Sequence, residues 1–189
     1  MSRVTNLRIG LLALALVTQG CARVGVSRTA SAAPAATTTV IVVRHAEKAT
    51  DDPRDPSLTQ AGRERALALR DALKDASISA IYATQYKRNR QTAEPLALQF
   101  GLTVIERPVN SSNSATYPAD IAREVLAANR GKTVVVVGHS NTVPQIVQAF
   151  SGVPVKALED SEYDHIFIVE VPASGAPRLV NVRFGRPAP

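Results

Sequence analysis

Two runs made entirely of β-branched residues constrain the fold of this chain more than any other feature: TVIVV at residues 39–43 and TVVVV at residues 133–137. A strand with one wet face alternates apolar and polar residues. These runs do not alternate, so each reads as a short strand buried on both faces, the pattern of a parallel sheet covered by helices.

The intervening sequence supplies those helices. Thr59 stands where an N-cap is expected, and Leu67, Leu69 and Leu73 follow as apolar positions on the buried side of a helix. Residues 78–83 read as a strand, residues 88–100 as a helix stopped by Gly101, and residues 102–105 as a third strand. Residues 119–129 read as a helix ending near Gly131. Residues 142–150 read as another, with Pro144 tolerated in its first turn. Residues 166–171 and 179–182 are two final strands with no helix between them, hence a hairpin. The expected fold class is α/β: a three-layer α/β/α sandwich on a mostly parallel, mixed sheet.

Sheets of this kind bind ligands at the carboxyl ends of their strands. The rule picks out Arg44-His45 after the first buried run and Gly138-His139-Ser140 after the second. The chain has three histidines, and two of them leave the two most buried strands at the same edge. One histidine in such a place is an incidental loop residue; two make a site.

Composition narrows the chemistry. The net charge is +6, but Lys and Arg are scattered and aromatics make up 4%, so no basic, base-stacking surface for nucleic acid is expected. A single cysteine excludes an internal disulfide and a thiolate zinc cluster. The histidines could join Glu47, Asp51 or Asp52 around a metal. However, there is no HExxH pattern, and Arg44 beside His45 opposes a cation. Residues 138–142 (GHSNT) begin like a nucleophile elbow around Ser140. Thr142 replaces the closing glycine, and the chain order of a Ser-His-Asp hydrolase is not met.

The N-terminus reads as an export signal. Arg3 and Arg8 precede an apolar run, IGLLALALV, that is too short to span a bilayer, and Cys21 follows in VTQGC. This is similar to a bacterial lipoprotein signal, although Thr18 and Gln19 depart from the usual pattern. It implies removal of residues 1–20, lipidation of Cys21, a flexible linker over residues 21–37 and a folded domain over residues 38–185. The chain would then sit at the periplasmic face of a membrane, held by an N-terminal lipid anchor. Plain secretion, with cleavage after residues 30–32 (ASA), is the competing reading.

Four segments carry a resemblance. Residues 44–48 (RHAEK) resemble the RHG signature of the histidine phosphatase superfamily, which has a phosphoglycerate mutase-like fold, and residues 138–141 (GHSN) resemble its second histidine box. Residues 84–93 (TQYKRNRQTA) are similar to the family's S-x-L-x-R-A-x-Q-T-A segment, and residues 58–62 (LTQAG) match its helix entry. Ala46 replaces the usual Gly, and Asn89 an Ala. The resemblance spans roughly residues 40–184.

It implies a phosphatase acting on phosphomonoesters through a phosphohistidine, with no metal and no cofactor. His45 would be the nucleophile, and Arg44, Arg88, His139 and Ser140 would bind the phosphate. Arg90 would occupy a variable position. The chemistry suits these residue types. Planar guanidinium forks match phosphate oxygens, and a histidine attacks only through a free nitrogen lone pair. The proton donor is not evident, because residues 109–117 (VNSSNSATY) hold no carboxylate where many relatives have one. Glu47 and Asp120 are candidates, with Glu106 and Asp164 behind them, and Glu47 is expected to pair with nearby basic groups. Without an acid, the enzyme would favour good leaving groups or take a proton from solvent. A mutase is disfavoured; a non-catalytic lipoprotein binding phosphate esters is the rival from another class.

Overall fold

The computed structural model describes residues 36–187. The export signal, Cys21 and all but the last two residues of the expected linker lie outside the described residues. Among the described residues no helix is long and apolar enough to cross a membrane.

Ten elements alternate as expected: β1 (Thr38–Arg44), α1 (Gln60–Leu73), β2 (Ile78–Ala83), α2 (Lys87–Gln99), β3 (Val104–Glu106), α3 (Tyr117–Ala128), β4 (Thr133–Gly138), α4 (Val143–Ser151), β5 (His165–Val171) and β6 (Arg178–Arg183). They form one six-stranded sheet in the order β3-β2-β4-β1-β5-β6. The first four strands run parallel, and the hairpin β5-β6 adds the antiparallel edge. The two β-branched runs are the central pair, β1 and β4.

Both faces of that pair are covered. Val40, Val42, Val134 and Val136 pack with Ile121 and Val125 of α3 and with Ile146, Val147 and Phe150 of α4. Ile41, Val43, Val135 and Val137 pack on the other face with Leu69 and Leu73 of α1 and with Ala93 and Leu96 of α2. Each such side chain, fully buried, contributes roughly 1.5–3 kcal/mol relative to exposure. The central strands therefore make the rigid floor on which the site is built.

Two sequence expectations need correction. Leu67 is 42% exposed, whereas Arg65 is buried in its helix. The buried stripe runs through Gly62, Arg65, Ala66, Leu69 and Leu73. Arg65 belongs to it because Glu47 and two C-terminal carbonyls, those of Phe184 and Arg186, take its guanidinium donors. The third strand starts at Val104 rather than residue 102 and is three residues long, because Gly101 and Leu102 are spent leaving α2.

Candidate active site

Register brings the two histidines together. Arg44 pairs with Gly138 at the ends of β1 and β4, and the His45 amide donates to the Gly138 carbonyl at 2.9 Å. The next side chains, His45 and His139, are buried with ring centroids 5.4 Å apart.

The hydrogen bonds fix their tautomers. His45 Nδ1 lies 2.8 Å from the Ala46 carbonyl. A carbonyl only accepts, so Nδ1 carries the proton and Nε2 keeps its lone pair. Burial, and then the charges of His139, Arg88 and Arg44, push the His45 pKa down to about 3 against the opposing Ala46 hydrogen bond. Arg88 Nη2 donates to His139 Nδ1 at 3.4 Å. That leaves Nε2–H to donate to Thr84 Oγ1 at 2.9 Å. Burial first, then Arg88 and Arg44, push the His139 pKa down to about 4. His139 thus presents an acceptor toward Arg88 here; it becomes a donor only on protonation, which a bound phosphate dianion favours.

Two guanidiniums flank the pair. Arg44 Nη1 donates to the carbonyls of Glu159, Asp160 and Glu162 at 2.8, 3.1 and 3.1 Å, and its guanidinium lies 4.1 Å from the centre of the Tyr163 ring. Arg88, in the first turn of α2, lies 4.5 Å from the centre of the Tyr86 ring. Burial lowers both arginine pKa values from their ordinary range, yet an arginine in a protein stays charged. Arg44 Nε and Arg88 Nε and Nη1 are buried without a hydrogen-bond partner. Three such donors among two neutral imidazoles are suited to an anion's oxygens.

The helix α2 holds this arrangement from behind. Asn89, fully buried, donates through Nδ2 to the carbonyls of Val137 and Gly138 at 3.1 and 3.0 Å. Thr92 Oγ1 accepts from the Ala46 amide at 3.0 Å and donates to the Arg88 carbonyl at 2.7 Å. At the start of α4, Thr142 Oγ1 accepts from the His139 amide at 2.9 Å, so this threonine caps the histidine turn rather than its own helix.

Arg44, His45, Arg88, His139 and Ser140 all line one cleft of about 610 Å³, which also holds Lys48, Tyr86 and Asp160. Arg90 points away, exposed and paired with Glu106 at 3.3 Å. The expected proton donors are not in the cleft. Glu47 is turned to Arg65, with contacts of 2.7 to 3.0 Å. Asp120 pairs with Arg123 at the surface, and Asp164 binds Arg183 at 2.5 Å. Among the described residues, no three His, Cys, Asp or Glu side chains gather as a metal would require.

Sequence reasoning missed Thr84, Tyr163, Asn89 and Asp160. Thr84 was findable, because it directly follows β2 at the same sheet edge. Asn89 was noticed only as a departure from the family pattern. Tyr163 and Asp160 sit in the irregular loop before β5, which carries no periodic signal.

An α/β sandwich that delivers two histidines and two arginines to one strand edge resembles the histidine phosphatase fold. The model for the histidine phosphatase superfamily (branch 1) matches residues 40–109 of the chain. Its fold is similar to that of mycobacterial glucosyl-3-phosphoglycerate phosphatase, with a TM-score of 0.58 and 16% identity over 76% of this chain and 97% of that one. It is also similar to the protein histidine phosphatase SixA, at TM-score 0.56 and 18% identity over 77% and 96% of the two chains. YhfR of Bacillus stearothermophilus gives 0.58 and 18% over 75% and 95%. No curated protein sequence matches the chain.

Proposed function

We propose that this protein is a metal-independent phosphatase that hydrolyses phosphomonoesters through a phosphohistidine on His45. The observation that carries the reading is the His45 Nε2 lone pair, in a cleft with the unpartnered N–H groups of Arg44 and Arg88. His45 is neutral at working pH, so its attack needs no base. The arginines bind the equatorial oxygens, where the transition state spreads its charge. Protonated on anion binding, His139 adds a donor. Water then attacks the phosphohistidine, and orthophosphate leaves.

Turnover of an aryl phosphate, before and after dialysis against a chelator, tests this. Equal rates are expected, with an acid-labile phosphoenzyme trapped in the wild type and lost in His45→Ala. A rate lost on chelation and restored by zinc or magnesium would overturn metal independence. Label on a serine would overturn the nucleophile. A wild type that binds vanadate but never releases orthophosphate would make the protein a binder.

We also propose export and membrane attachment through Cys21, motivated by the apolar run of residues 9–17 that this residue closely follows. In a bacterial host the protein should partition into detergent and move to the aqueous phase in Cys21→Ser. A soluble wild type starting near Ala33 would point to plain secretion.

A further inference from the structure

The attack on phosphorus leaves an electron pair to be placed. His45 Nε2 forms the new P–N bond, the bond from phosphorus to the leaving atom breaks, and its electrons go to that atom. An alkoxide needs a proton as it departs, and a positioned acid contributes roughly 10²–10⁴-fold.

The wall of the cleft supplies no obvious acid. Asn110, Ser111 and Ser114 come from the loop between β3 and α3, and Asn141 and Gln145 from the turn and helix after β4. These amides and hydroxyls release no proton near neutral pH. His139 has one ring proton held by Thr84, and the second, gained when the phosphate binds, is spent on a phosphoryl oxygen rather than on the leaving atom. Among the described residues that line the cleft the one carboxylate is Asp160; Asp55, outside the lining, is paired with Arg88 Nη1 at 3.9 Å. The Asp160 side chain is fully in water and 4.0 Å from Arg44 Nη2, as the arginine's charge partner. Residues 1–35 contain no Asp or Glu that could complete the site.

We propose that the natural substrate carries a leaving group that departs without a proton from the protein. Two chemistries meet this condition: a weakly basic oxyanion, as in an acyl phosphate, or a nitrogen that brings its own proton, as in a phosphoramidate. The inference rests on the phosphatase reading above. After the leaving group departs, water attacks phosphorus and the P–N bond breaks with its pair returning to His45 Nε2. The water's proton passes to solvent, and orthophosphate is freed.

The test is kcat/KM of the full chain across aryl phosphates of increasing leaving-group basicity, from dinitrophenyl through nitrophenyl to phenyl. Glycerol phosphate, acetyl phosphate and phosphoramidate complete the series. The rate should fall steeply along the aryl esters, with glycerol phosphate slower than nitrophenyl phosphate by roughly 10²-fold or more, the contribution of the missing acid. Acetyl phosphate or phosphoramidate should match or exceed nitrophenyl phosphate, and the faster of the two names the source. Asp160→Asn, Lys48→Met and Tyr86→Phe, which remove the carboxylate, the ammonium and the phenol of the wall, should leave the slope unchanged. A flat series, or a slope that steepens in any of the three variants, overturns the proposal. Failure to turn over any member brings down the phosphatase reading itself, and this inference with it.

Discussion

The division of labour between Arg88 and Arg90 is decided by two residues of spacing. Side chains two apart on a helix point about 200° apart, so α2 can turn one arginine into the cleft and must turn the other out. Arg88 contacts His139, and Arg90 reaches Glu106 on the surface. A buried donor that meets developing charge acts on turnover more than on ground-state binding. Arg88→Ala is therefore expected to lower kcat/KM by roughly 10²–10³-fold, and Arg88→Lys to restore little, since a point charge lacks the fork. Arg90→Ala should stay near wild type, because exposed pairs are worth about 0–1 kcal/mol. Steady-state kinetics of the three variants decides it; a crippling Arg90→Ala would mean that the phosphate is held by the other face of α2.

At the scale of elements, what the sequence made legible follows from period and punctuation. The central strands were readable because five consecutive β-branched residues have few other uses. The entry to α1 was readable because Thr59 does accept from the Gly62 amide, at 3.0 Å. The LTQAG segment has a further reason that only packing reveals. A Cβ on Gly62 would lie 2.4 Å from the Glu47 carbonyl oxygen, so α1 docks directly on the turn that follows His45. Arg44, His45 and His139 were visible at strand ends, and Arg88 through its motif. The proton-donor candidates misled because an acid's neighbours in the sequence do not show which arginine will claim it. Glu47 is taken by Arg65, 18 residues away. The loop that grips Arg44 lies more than 110 residues downstream of it, and no local pattern announces that contact.

The whole molecule keeps two histidines neutral in a buried, positively charged cleft, and this ties its stability to pH. Their pKa values, about 3 for His45 and about 4 for His139, return toward the ordinary 6.5 when the chain unfolds. Between those limits the unfolded chain binds more protons than the folded one, so stability rises with pH across this window. The contribution is complete above about pH 6.5 and is lost progressively as pH falls toward 4 and then 3. Carboxylates with lowered pKa, such as Glu162 at about 2, held down by the Glu159 amide and His165, act only below their ordinary value of 4.5. The interval from pH 6.5 to 4.5 therefore reports on the histidines. Unfolding free energies from urea titrations between pH 8 and pH 4.5 should fall on the acid side, by an amount on the order of a few kcal/mol. The fall should be smaller in a His45→Asn, His139→Gln double variant. Equal slopes in the two proteins would mean that the cleft already holds its histidines protonated, and His45 would then have no lone pair with which to attack.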